Sequence, residues 1–217
     1  MMHSRFDLVV FDWDGTLIDS TATIVRAIQA AAADLDLPIP DTETASYVIG
    51  LGLHDALARA VPTLEAARIL EFSARYRYHY LANDASLQLF AGVRDLLAWL
   101  AGENKALAIA TGKSHAGLQR ALGATGLTEF FVATRCADQT QPKPHPAMLL
   151  ELIEELGIDR ERTLMIGDTT HDLQMAAAAG TGAIGVTYGA HPRAQLALCE
   201  PLALVDSIQD LRQWLTR

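Results

Sequence analysis

Leu8-Val9-Val10-Phe11 is an unbroken apolar run that stops abruptly on Asp12-Trp13-Asp14-Gly15-Thr16. A strand that is apolar on both faces belongs inside a sheet covered on both sides, and such sheets are parallel. In open parallel sheets, ligands bind at the carboxyl ends of the strands, so Asp12 and Asp14 stand where a substrate and a metal would be offered. Two residues apart, they point the same way in an extended strand; Gly15 suggests a turn that swings the second carboxylate away from the first. Two anions at one strand end repel each other, so the arrangement needs a nearby cation or a retained proton. The same residues also fit a solvated loop with two surface aspartates and a helix cap at Asp19 or Ser20.

The rest of the chain decides the architecture. Ile24, Ala27, Ile28, Ala31 and Leu35 recur at helical spacing, and Leu37-Pro38-Ile39-Pro40 ends that helix. Residues 42–48, 53–61 and 64–81 read as further helices, separated at Gly50-Leu51-Gly52 and at Pro62. From Phe90 the pattern becomes an alternation. Strands are expected at 106–110, 130–134, 163–166, 182–187 and 202–205, and helices at 92–101, 114–122, 145–156 and 170–179. Ser207 with Asp210 forms a capping box for a last helix. Alternation of this kind gives an α/β fold with a parallel sheet covered by helices. The helical stretch of roughly 70 residues after the first strand is too long for an ordinary crossover and should form a subdomain over the strand ends.

Composition narrows the functional classes. Half of the 217 residues are apolar and 20% are charged, the profile of a soluble globular protein. A net charge of −9 with no cluster of Lys and Arg argues against nucleic acid as a partner. No apolar stretch reaches membrane-spanning length, and the first strand starts too early to leave room for a signal peptide. Cys136 and Cys199 lack metal-type spacing and fit buried or inert thiols in a reducing compartment. A cytoplasmic protein is expected.

Three other stretches offer chemistry at equivalent positions. Thr111-Gly112 ends a strand with a hydroxyl and a residue that lets backbone amides approach an anion, although Thr111 also suits a helix cap. In Gln141-Pro142-Lys143-Pro144-His145-Pro146 the alternate prolines should hold the backbone extended and fix Lys143, whose ammonium could neutralise the carboxylates and a phosphate. His145 reads as solvent-facing or as a cap. Gly167-Asp168 ends another strand, with Asp172 four residues on. Asp168 is a hard oxygen ligand that, with Asp12, could hold Mg²⁺, while capping by Asp168 or Thr170 is the alternative. His171 is given no metal role.

With Asp12-Trp13-Asp14-Gly15-Thr16, Thr111-Gly112, Lys143-Pro144 and Gly167-Asp168 with Asp172 in this order at strand ends or loops, the chain resembles the haloacid dehalogenase superfamily of phosphatases. The resemblance covers essentially the whole length. It implies a three-layer, Rossmann-like core of residues 1–16 and 87–217, with residues 17–86 similar to the helical cap of the phosphoglycolate phosphatase and β-phosphoglucomutase branch. It further implies that Asp12 attacks phosphorus, that Asp14 is acid and then base, and that Mg²⁺ is bound by Asp12, the Asp14 carbonyl and Asp168, with Asp172 orienting its waters. Thr111 and the Gly112 amide would hold phosphate oxygens, and Lys143 would balance charge. The chain departs from the pattern at Trp13, which should narrow the space beside the nucleophile and touch substrate, and at Ala91, where the branch usually has proline.

Asp14 argues against the family's dehalogenases, which lack a second aspartate. The absence of lysine from residues 36–85 argues against its phosphonate hydrolases. A phosphomutase of the β-phosphoglucomutase type is the nearest alternative and a non-catalytic interaction module a remoter one. The expected substrate is a small phosphorylated metabolite, with phosphoglycolate the family-based default. Gly50-Leu51-Gly52, His54, Arg59, Arg75, Arg77 and His79 are the candidates for selectivity.

Overall fold

The computed structural model describes residues 5–84 and 86–216. Residues 1–4, 85 and 217, which fall at the limits of the two expected units, lie outside the described residues. Six strands form one parallel sheet: β1 (Leu8–Phe11), β2 (Ala106–Thr111), β3 (Ala133–Cys136), β4 (Thr163–Gly167), β5 (Gly182–Val186) and β6 (Ala203–Val205), in the spatial order β3-β2-β1-β4-β5-β6. The chain steps outward from β1 to β3 and then crosses back to β4 on the other side. The end of β1 is therefore the point where strand order reverses, and a crevice opens there.

Alternation along β1 sends successive side chains to opposite faces of the sheet. Val9 and Phe11 pack with residues of α5 (Val93–Gly102), α6 (His115–Thr125) and α10 (Ile208–Leu215). Leu8 and Val10 pack with α7 (Ala147–Leu156), α8 (Thr170–Ala179) and α9 (Arg193–Ala197). Both faces are thus covered, as the unbroken apolar run requires. Register aligns Phe11 with Ile109 on β2 and Ile166 on β4, so the functional strand ends come level with one another.

Between β1 and β2 the chain forms α1 (Thr21–Asp34), α2 (Thr42–Tyr47), α3 (Leu53–Ala60) and α4 (Ile69–Asp84), which enclose an apolar cluster of their own around Ile28, Leu57 and Phe72. The two chain segments that lead into and out of these helices run side by side. Asp19 N–H donates to the Gln88 carbonyl at 2.9 Å, and Phe90 N–H to the Leu17 carbonyl at 3.0 Å. No helix among the described residues is long and apolar enough to cross a membrane.

The elements depart from the sequence reading in four places. Phe130-Phe131-Val132 does not begin β3: Thr128–Phe130 is a 3-10 turn, the two phenylalanines pack on the core, and pairing with β2 starts at Ala133. Residues 64–81 do not form one helix, because a 3-10 turn at Ala66–Arg68 precedes α4. Helix α9 was not expected; it is five residues long and buries only Leu196, too little for a periodic signal. Pro142 to Pro146 is a turn, not an extended segment, closed by His145 N–H donating to the Pro142 carbonyl at 3.0 Å. Lys143 is fixed nonetheless.

Candidate active site

Asp12 follows β1 and is fully buried, as are Asp168 after β4 and Asp172 in the first turn of α8. Each offers one oxygen to a cluster whose members lie within 4.8 Å of one another. Lys143 reaches this cluster from the proline turn, with Nζ 2.7 Å from Asp12 Oδ1 and 2.6 Å from Asp172 Oδ1. It too is buried, at 1% exposure. Three carboxylates thus share one ammonium.

The electrostatics follow from that imbalance. Burial, then the Asp172 and Asp168 charges, push Asp12 well above the ordinary carboxylate range against the pull of Lys143. Burial and Asp172 push Asp168 up to about 7, against its bonds to Ala190 N–H and the Thr16 hydroxyl. Burial disfavours the Lys143 ammonium, but Asp12 and Asp172 outweigh it and raise its pKa. Asp12 Oδ2 is buried with no hydrogen-bond partner among the described residues. An all-oxygen, net-negative set with such an orphaned atom fits a hard divalent cation of the Mg²⁺ type.

Local structure fixes each ligand. Asp168 Oδ1 accepts from Thr16 Oγ1 at 2.9 Å and Oδ2 from Ala190 N–H at 2.7 Å. The helix cap expected at Asp168 or Thr170 is Thr169, in a reciprocal capping box with Asp172. Asp172 Oδ2 accepts from Thr169 N–H at 3.1 Å and Thr169 Oγ1 at 2.7 Å, which leaves Oδ1 for the cluster. One carboxylate both caps the helix and faces Lys143.

The Asp14 side chain lies apart from the cluster, so any part it has in metal binding falls to its backbone carbonyl. Its carboxylate accepts from Ser20 Oγ at 2.8 Å and from Lys113 Nζ at 3.0 and 3.1 Å. Lys113 also donates to Tyr80 Oη of α4 at 3.1 Å. Burial disfavours the Lys113 ammonium, but Asp14 and Tyr76 outweigh it and raise its pKa. Ser20 precedes α1 but makes no capping bond; its hydroxyl serves Asp14 instead. The sequence offered a signal for both residues, Ser20 as a cap and Lys113 inside Thr111-Gly112-Lys113, but none for their meeting at Asp14.

Asp12, Asp14, Thr111 and Gly112 line one cavity of about 800 Å³ between the sheet edge and the helices α1–α4. Thr111 is not a helix cap, since Ser114 caps α6. Gly112 is required by close approach: a Cβ there would lie 2.5 Å from the Gly50 carbonyl oxygen and 2.4 Å from that of Leu51. Trp13 departs from expectation. Its side chain is fully buried in the apolar core with Phe11 and Leu17, where a large aromatic ring removes the most area from water, and it does not line the cavity. His145 is exposed, and its Nδ1 accepts from Ala147 N–H at the start of α7. His54 and Arg77 reach the cavity lining, whereas Arg75 and His79 pair with Asp34 outside it and Arg59, itself off the lining, pairs with the lining residue Asp55.

Residues 9–186 match the family model described as haloacid dehalogenase-like hydrolase. The chain is 40% identical over 210 residues to "Probable phosphatase IndB" of Dickeya dadantii, covering 94% of this chain and 91% of that protein. It is 31% identical to the phosphoglycolate phosphatase of Salmonella paratyphi A, covering 94% and 90% of the two chains. A solved haloacid dehalogenase-like hydrolase from Streptococcus pneumoniae superposes with a TM-score of 0.83 at 26% identity over 99% of both chains. With six parallel strands in this order, acidic groups at the end of β1 and β4, and a match across most of its length, the chain belongs to the haloacid dehalogenase-like hydrolase family.

Proposed function

We propose that the protein is a cytoplasmic, Mg²⁺-dependent phosphatase that hydrolyses a small phosphomonoester through a phosphorylated Asp12. The observation that carries this reading is the buried meeting of Asp12, Asp168 and Asp172 with Lys143 at the mouth of β1, open to the cavity through Asp12. Mg²⁺, held by Asp12, Asp168 and the Asp14 carbonyl with Asp172 behind, would supply positive charge to the phosphoryl oxygens.

In the first step an Asp12 carboxylate oxygen bonds to phosphorus as the ester P–O bond breaks, and the Asp14 carboxyl gives its proton to the departing alkoxide. In the second, Asp14 as carboxylate takes a proton from water, whose oxygen bonds to phosphorus as the Asp12–phosphorus bond breaks. Thr111 and the Gly112 amide orient phosphoryl oxygens, and Lys143 offsets charge on Asp12 throughout. Splitting one displacement into two, with cations already in place, is how such a site accelerates the reaction. Residues 17–86 act as a cap that excludes water, with Ser20 and Lys113 holding Asp14 in place.

The test is phosphate release from para-nitrophenyl phosphate and from phosphoglycolate, the substrate named for the Salmonella relative, with and without Mg²⁺. Asp12→Asn should lower Mg²⁺-dependent turnover about a thousandfold or more. Release at the same rate from the variant would dispose of the reading.

A further inference from the structure

The cavity is far larger than a two-carbon acid needs. At about 800 Å³ it has room for roughly 25 waters at their liquid volume. Ligand sites of this size enclose most of the molecule they bind, so what a ligand fails to fill remains wetted apolar wall. Here Asp12, Asp14, Thr111 and Gly112 stand on the floor, while the facing helices and the turn after α2 contribute the apolar and aromatic wall of Ile24, Ile28, Ile49, Leu57, Tyr76 and Tyr80. The two tyrosine rings stack on each other, with centroids 5.9 Å apart.

Much of the charge on the lining is already engaged. Lys113, the cation nearest the floor, is held by both oxygens of Asp14 and by Tyr80, and its side chain is 10% exposed. Arg120 pairs with Asp84 at 2.8 Å, and Asp55 with Arg59 at 3.1 Å. Asp138 Oδ1 accepts from the His115 amide. Arg77 and His54 also line the cavity and are exposed to solvent. A leaving group whose carboxylate bound Lys113 would take from Asp14 one of the two groups that hold it in place.

We propose that the alcohol this enzyme releases carries a ring-sized, largely apolar and uncharged body that fills the space under α1, α3 and α4, and that phosphoglycolate is a poor substrate. This rests on the phosphatase reading given above. The apolar wall supplies binding energy in proportion to the area it removes from water, and a charged two-carbon fragment gains almost none of it.

The experiment compares kcat/KM, in Mg²⁺, for 2-phenylethyl phosphate, ethyl phosphate and 2-phosphoglycolate, all esters of primary alcohols, with para-nitrophenyl phosphate as the general probe. The expected result is that 2-phenylethyl phosphate exceeds each of the other two alkyl esters by about thirtyfold or more. In Leu53→Asn, which places an amide on the cavity lining, that ratio should fall about tenfold. The ratio is taken on one preparation and so does not depend on how much of the variant folds. Turnover of para-nitrophenyl phosphate with phosphoglycolate equal to or better than 2-phenylethyl phosphate would overturn the inference and leave the phosphatase reading standing. Turnover of none of the four, or turnover indifferent to Asp12→Asn, would overturn both.

Discussion

Asp168 is held between two glycines: a Cβ on either Gly15 or Gly189 would come within 2.2 Å of its Oδ2. Gly15 also needs its positive φ of 79°, but Gly189 has no such demand, so Gly189→Ala acts through space alone. That substitution should raise the Mg²⁺ concentration for half-maximal activity about tenfold or more, as displacing the support of a metal ligand does. An unchanged Mg²⁺ titration would remove Asp168 from the metal site. Lys143→Met leaves Asp12 and Asp172 buried without their cation, and urea denaturation of the metal-free variant should show a loss of about 3 kcal/mol. Asp12, Asp168, Thr111 and Lys143 were legible as candidates because each stands at a strand end or in a constrained turn, and Asp14 and Asp172 because they follow those strand ends within a few residues. Ser20 was misread because a serine before a helix ordinarily caps it, and only the tertiary approach of Asp14 diverts the hydroxyl. Gly189 and Ala190 gave no signal, since their role is to leave room for Asp168 and to donate one backbone N–H to it.

Helix α2 is tied to the core by its last carbonyl. His171 Nε2 at 2.8 Å and His191 Nε2 at 3.0 Å both donate to the Tyr47 carbonyl, and the Tyr47 ring stacks on His191 with centroids 4.9 Å apart. The Thr170 amide donates to His191 Nδ1 at 3.0 Å, which fixes that nitrogen as the acceptor and links the α2 clamp to the loop carrying Asp168. His191→Phe keeps the stacked ring but loses the bonds to the Tyr47 carbonyl and to Thr170, and should cost about 2 kcal/mol in chemical denaturation; no loss would mean the clamp contributes nothing. Elements with a full period or a long buried run were readable. The exceptions have local causes: β3 was displaced because two phenylalanines with high strand propensity are used for core packing in a turn, and α9 is too short to show a face. The contact between Gly112 and the Gly50 and Leu51 carbonyls joins segments more than 60 residues apart in sequence, and no local pattern encodes it.

At the scale of the molecule, strand and helix alternation specified the parallel sheet, and the length of the first connection implied a helical unit over the strand ends. The size and apolar character of the space between them emerged only once both were folded. A site with three buried carboxylates and one lysine is under-neutralised, so Mg²⁺ should raise the melting temperature; saturation a hundredfold above Kd contributes about 2.7 kcal/mol. Burial holds the Asp168 proton up to about 7, and the cation must displace it, so this Mg²⁺-induced shift should be larger at pH 8 than at pH 6. A shift that shrinks as pH rises would contradict the assignment. The central claim, that the phosphoryl group passes through Asp12, is tested most directly by acid-quenching the enzyme during steady turnover with Mg²⁺ and mapping the phosphorylated peptide by mass spectrometry. One phosphoryl group on Asp12, absent without Mg²⁺, is the predicted result. Turnover with the phosphoryl group on any other residue, or with none on the enzyme, would contradict it.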